Sequence, residues 1–209
     1  MGEKIKMIKF LDILEINIQK KTKLGDEESA EGETYDLKFA PDKVIKKYTI
    51  TNPKTKKDQY ELMSKYPEFF VKIYDYSPKY VIMEKVQTPV PGLKELQDFT
   101  KNEAGIEWVR GGNSLMNVYS QDIVSGIDIE LKKDKSDVYN RILKEAKQLK
   151  KTDLILLLTK IYNFLDKLYK TLPKLKSYDL DIHRKNIGLD KQGNLKLFDI
   201  MYDEMYRDQ

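Results

Sequence analysis

Two prolines and a glycine fall within the six residues Gln87-Thr-Pro-Val-Pro-Gly92, and this segment constrains the chain more than any other. Proline lacks an amide donor and fixes its own φ, so neither a sheet nor a helix is expected to run through such a stretch. The patterns on its two sides differ. Before it, short runs at Tyr35–Leu37, Lys43–Ile50, Phe70–Tyr76 and Lys79–Val86 read as strands, with turns at Pro41-Asp42 and Ser77-Pro78. Lys57–Tyr66 reads as a helix with Tyr60 and Met63 on its inner face, and Met7, Phe10, Leu11 and Leu14 recur at helical spacing near the N-terminus. Beyond it, Ser136–Lys150 is helical by Val138, Ile142, Ala146 and Leu149. Thr152–Tyr169 is helical by Ile155, Leu158, Tyr162, Leu165 and Tyr169. A hairpin follows, with strands Asn186–Leu189 and Leu195–Phe198 around Lys191-Gln-Gly-Asn194. Residues 93–135 have weak periodicity and a loop at Gly111-Gly112-Asn113. The expected architecture is α+β: a strand-rich lobe over 1–86, a linker at 87–92 and a helical lobe over 93–209.

Composition narrows the chemistry. A chain of 209 residues suffices for two small lobes, and 40% apolar residues with 14 Tyr and 7 Phe argue against disorder. The absence of cysteine excludes a disulfide framework and thiolate metal sites. A single histidine excludes multi-histidine metal centres, so any metal is a hard cation on carboxylate and amide oxygens, as Mg²⁺ is. The net charge of +4 and pI of 8.8 come from lysines scattered along the whole chain, which fits a solvated surface better than a nucleic-acid face. Lys6, Lys9, Asp12 and Glu15 interrupt the apolar residues of Ile5–Ile18, so neither a signal peptide nor a membrane segment is expected. The expected location is the cytoplasm.

Chemistry concentrates in Tyr178-Asp-Leu-Asp181-Ile-His183-Arg-Lys-Asn186 and the hairpin that carries the chain on to Asp199. A long helix leads into a polar loop, and the hairpin returns a second aspartate toward it. One carboxylate that orients a hydroxyl, with an amide oxygen and a second carboxylate for Mg²⁺, is what phosphoryl transfer requires.

The Asp-x-His-x-x-Asn of residues 181–186 is similar to the catalytic loop of kinases related to the aminoglycoside and choline phosphotransferases. Asp199 falls where such kinases place their metal-binding aspartate. The resemblance implies a two-lobed protein-kinase-like fold with a small antiparallel N-terminal sheet and a reduced helical C-terminal lobe. It implies Asp181 as the base, with His183 in the position that contacts the transferred phosphate in protein kinases. Asn186 and Asp199 are then the Mg²⁺ ligands. In the N-terminal lobe it implies Lys46, or Lys47 if the register shifts, as the nucleotide-clamping lysine braced by Glu61. Met83 falls at the gatekeeper position, Glu84 and Val86 offer backbone groups to adenine, and Gly32 ends the glycine-rich loop. The implied cofactors are ATP and Mg²⁺. His183 makes the small-molecule kinases the nearer relatives of this loop, yet the expected acceptor is a serine or threonine hydroxyl of a protein, such as a host protein, because no acidic pocket for a cationic small molecule can be assigned.

The chain also departs from the pattern. Glu27 and Ser29 stand where earlier glycines belong, beside Asp26 and Glu28, whose charges repel phosphates. Asp179 and Leu180 replace the histidine and arginine that precede the base, and Ile200-Met201 replaces Phe-Gly. The chain ends ten residues after Asp199, a compact form that resembles kinase-like proteins of bacteriophages and other viruses. The leading expectation is a phosphotransferase, with a partner-binding pseudokinase as the alternative. A basic nucleic-acid-binding protein stands well behind both.

Overall fold

Strand β2, Ala40–Tyr48, organises the first half of the chain because three consecutive residues on it, Val44, Ile45 and Lys46, are all buried. Burial on both faces means a central strand. The computed structural model bears this out in an antiparallel sheet of order β1-β2-β4-β3, with β1 at Gly32–Leu37, β3 at Ile73–Ser77 and β4 at Tyr80–Glu84. The structure describes residues 32–37, 40–48, 53–106, 122–177 and 180–199. The helix expected over Met7–Leu14, most of the acidic turn at Gly25–Glu33, Ile50, and the loop at Gly111–Asn113 lie outside these residues.

Pro41 and Asp42 belong to β2 and not to the turn before it. A register shift after Asp36 pairs Leu37 with Ala40, so Pro41 has no β1 partner and its missing amide proton breaks no ladder bond. Helix α1, Pro53–Lys65, starts four residues earlier than the sequence pattern suggests, because Pro53 sits at its first position, where an amide proton has no intrahelical acceptor. Its Tyr60 meets the sheet through the Tyr76 ring, 5.2 Å between centroids, and through a hydroxyl–hydroxyl contact with Tyr48. On the sheet, Leu37, Ile45 and Ile82 form a cluster flanked by Tyr35, Ala40 and Tyr80.

The chain divides into two compact units, Met1–Pro67 with Val71–Lys85, and Glu68–Phe70 with Val86–Gln209. The second is built on helices α2 (Leu93–Asn102), α3 (Ile123–Lys132), α4 (Asp137–Gln148) and α5 (Thr152–Thr171), and on the hairpin β5 (Ile187–Leu189) and β6 (Leu195–Leu197). The first two helices resolve the stretch that has weak periodicity. Within α2, Leu93, Leu96 and Phe99 are buried at helical spacing. In α3 nearly every position is buried, so no polar face remains to reveal a period.

Helix α5 packs against α2, α3 and α4. Its buried stripe is Leu154, Leu158, Ile161, Leu165 and Leu168, with Tyr169 beside it. Ile155 and Tyr162 lie half-buried on the flank, and Tyr162 stacks on Tyr139 of α4 at 4.0 Å. Leu149, expected inside, is 48% exposed because α4 has ended at Gln148. Two buried carboxylates tie α3 into place. Glu130 accepts the amides of Val138 and Tyr139 and so caps α4, while Asp128 accepts the Tyr169 hydroxyl and pairs with Lys132 at 3.0 Å.

The segment 87–92 does more than connect. Gln87 exchanges backbone hydrogen bonds of 2.8 and 3.1 Å with Leu189 of β5. Gly188 permits this approach, since a Cβ there would lie 2.6 Å from Cγ2 of Val86.

Candidate functional site

The polar loop after α5 is held by alternation. Leu180 and Ile182 are buried, and between and after them Asp181 and His183 remain partly accessible. Leu180, which stands where the kinase pattern has an arginine, therefore serves as an apolar anchor. The Asn186 amide donates to the His183 carbonyl at 2.9 Å and closes the turn. The Lys185 amide donates to Nδ1 of His183 at 3.1 Å, so Nε2 is the nitrogen that carries a proton in the neutral ring. That Nε2 lies 3.4 Å from Oδ1 of Asp181.

Asn186 gathers the site. Its Nδ2 lies 2.9 Å from the Asp181 carbonyl, 3.1 Å from Oδ2 of Asp181 and 2.9 Å from the Asp199 carbonyl. All three are acceptors, so the amide nitrogen and its two hydrogens must face them. The side-chain oxygen then points away from these three acceptors. The structure thus brings Asp181, His183, Asn186 and the backbone of Asp199 together, although Asp199 is 13 residues from Asn186. Asp199 itself has φ 55, a left-handed conformation that costs a non-glycine residue about 1 kcal/mol and that concentrates at functional sites.

The hairpin that delivers Asp199 is rigid for identifiable reasons. Oδ1 of Asp190 accepts the amides of Gln192 and Asn194, and Oδ2 accepts the Asn194 side chain. Burial raises the Asp190 pKa, but the hydrogen bonds from Asn194 and Gln192, with the Lys196 charge, outweigh it and hold the carboxyl below its ordinary range. Gly193 takes φ 80, and the Lys160 ammonium bonds its carbonyl at 2.6 Å, tying the turn to α5.

Two carboxylates and one amide oxygen would suit a hard cation, and the hydrogen bonds place Asp199 here through its backbone carbonyl. Among the described residues no group of three or more histidines, aspartates or glutamates is arranged to hold a metal. A cation at this loop would complete its shell with water and phosphate oxygens, as Mg²⁺ usually does.

In the first unit, Lys46 is 5% exposed, and its ammonium lies 5.4 Å from the centre of the Tyr48 ring. Lys47 is only half-buried. Gly32 opens β1 opposite Tyr48. Met83 is buried and pairs with Val44, whereas Glu84 is half-buried and exchanges contacts with the backbone of Lys72. Val86 is half-buried at the start of the second unit.

Glu61 departs from expectation. Its side chain is 57% exposed and pairs with Lys57 on its own helix at 3.6 Å. The inner face of α1 is Gln59, Tyr60 and Met63, and Glu61 lies two residues from both Gln59 and Met63, about 200° around the helix from each. Gln59 is 1% exposed, and its Oε1 has no hydrogen-bond partner. Neither Gln59 nor Asp122 belongs to a linear motif. Aspartate is a favoured N-cap residue, but Asp122 stands in the segment of weak periodicity, where no helix start is expected.

No protein-family model matches the chain, and comparison with curated proteins finds no match. Among the described residues no helix is long and apolar enough to cross a membrane.

Proposed function

We propose that the chain is an ATP- and Mg²⁺-dependent phosphotransferase with a two-lobed, protein-kinase-like fold and a reduced helical C-terminal lobe. The supporting observation is the Asn186 side chain, whose nitrogen is committed to Asp181 and to the Asp199 backbone and whose oxygen points away from them. In this reading Asp181 accepts the proton of the acceptor hydroxyl as its oxygen bonds to the γ-phosphorus and the bond to the ADP oxygen breaks. Asn186 and Asp199 would hold Mg²⁺, which neutralises phosphate charge when bound. His183, with its ring oriented by the Lys185 amide, stands ready to contact the transferred group. Lys46 would clamp the nucleotide. The acceptor is a serine or threonine hydroxyl of a protein, in a host cytoplasm if the chain is viral.

A partner-binding pseudokinase is the second reading, favoured by the exposure of Glu61 and its pairing with Lys57. Thermal unfolding with ATP, in the presence and absence of Mg²⁺, separates the two when combined with transfer from labelled ATP to candidate proteins. The enzyme reading expects Mg²⁺-dependent stabilisation, about 2.7 kcal/mol at a hundredfold excess over Kd, that Asp199→Ala abolishes. Transfer is also expected to disappear in Asp181→Ala. Absence of any stabilisation at millimolar ATP would sink the enzyme reading. Binding by the wild type without transfer would move the assignment to the pseudokinase.

A further inference from the structure

Asp122 lies 62 residues before Arg184, yet its carboxylate joins the loop to helix α3. It is 3% exposed and stands at the N-cap of α3 in extended conformation. Oδ1 accepts the amides of Val124 at 3.0 Å and Ser125 at 3.1 Å, together with the Ser125 hydroxyl at 3.2 Å. Oδ2 accepts the amide of Arg184 at 3.0 Å. One oxygen thus caps the helix while the other holds the middle of the loop that carries Asp181, His183 and Asn186. A cap alone needs a single oxygen, which serine supplies as well as aspartate. The second bond is what a carboxylate adds, and a charged acceptor makes it stronger than a neutral one.

The anchor is itself fixed. Gln97 of α2 accepts the Ile123 amide through Oε1 at 2.8 Å, and Asp128 on the same helix bonds Tyr169 of α5. The loop therefore hangs from a helix that is bonded to two neighbours. Proton transfer needs the acceptor carboxylate held to within about 0.5 Å of its productive place. We infer that Asp122 is a positioning residue, which holds the 181–186 loop through the Arg184 amide and so keeps Asp181 and Asn186 in register. Its catalytic consequence rests on the phosphotransfer reading, whereas the anchoring itself does not.

Asp122→Ser and Asp122→Asn test the inference in the full chain. Serine retains the cap but has no second oxygen for Arg184. Asparagine keeps the shape, but with its oxygen on the helix it turns an NH₂ group toward a donor. Native-state exchange of the Arg184 amide, followed by NMR, is expected to accelerate about tenfold to a hundredfold in both variants. The Ile127 amide, inside α3, should exchange as in the wild type. In transfer assays kcat should fall about tenfold or more while KM for ATP stays the same. Glu130→Gln, which weakens the cap that α3 places on α4, should lower thermal stability without changing Arg184 exchange.

Arg184 exchange within about twofold of wild type in both Asp122 variants overturns the inference, because the bond then contributes nothing measurable. Faster exchange with kcat unchanged overturns the positioning role. A wild-type protein that transfers no phosphate defeats the phosphotransfer reading, and the exchange comparison still decides the anchor.

Discussion

Replacing Asn186 with Asp tests the geometry of the site without any ligand. The wild-type Nδ2 stands among three oxygen acceptors at 2.9, 3.1 and 2.9 Å, one of them on the Asp181 carboxylate. Asn186→Ala removes two hydrogens from this set. Each neutral bond contributes about 1 kcal/mol and a bond to a carboxylate about 1.5–3, so the two hydrogens together are worth about 2.5–4 kcal/mol. Asp181 has 28% of its side chain in contact with solvent, which favours the lower end, near about 2.5 kcal/mol. Asn186→Asp loses the same bonds and sets a second carboxylate against the first. The introduced carboxyl then keeps its proton to higher pH in the folded state than in the unfolded chain. A group with a raised folded pKa contributes its stability below the unfolded value, near 4, and loses it as pH rises through the folded value. Asn186→Asp should therefore match Asn186→Ala near pH 3, below the unfolded value, and fall below it by about 1.4–2.7 kcal/mol at pH 8, one to two pKa units of repulsion. Urea unfolding of the three proteins, followed by circular dichroism at both pH values, measures this. A gap between the Asp and Ala variants that is the same at both pH values would refute the placement of the Asn186 nitrogen against Asp181.

Two further substitutions examine buried polar groups, one in each unit. Tyr169→Phe should cost about 1–3 kcal/mol by depriving the buried Asp128 of a donor. Burial raises the Tyr169 pKa, and the Asp128 charge and hydrogen bond raise it further, so the wild-type contribution is complete below pH 10 and shrinks above it. Calorimetry should show the difference between the two proteins narrowing above pH 10; a difference that widens there contradicts the network. Gln59→Met should leave stability unchanged or raise it by about 1 kcal/mol, since it removes a buried amide oxygen that has no partner. A loss above about 2 kcal/mol in chemical denaturation would show that the oxygen is satisfied.

Much of the site was legible because it is nearly contiguous. Asp181, His183 and Asn186 share one loop, and the turn chemistry of Lys191–Asn194 announced the hairpin that carries Asp199 toward them. Helices α4 and α5 were legible for the same local reason, with apolar residues recurring at the period of a helix set against polar ones. Where burial removes the polar face, as in α3, that signal disappears and the helix is visible only once folded.

What the sequence alone determined is therefore the kind of each strongly patterned element and the polar cluster at 181–199. The tertiary structure decided which polar residue of α1 goes inside: Tyr60 and Met63 are buried as their spacing suggests, but Gln59 is buried with them while Glu61 stays exposed and pairs with Lys57. It also decided that the proline-bearing segment pairs with β5 through Gln87, and that a carboxylate 62 residues upstream of Arg184 holds the loop. Such pairs leave no linear trace, since a buried backbone group is satisfied by whichever acceptor folding brings to it and chain separation does not enter the hydrogen bond's energy.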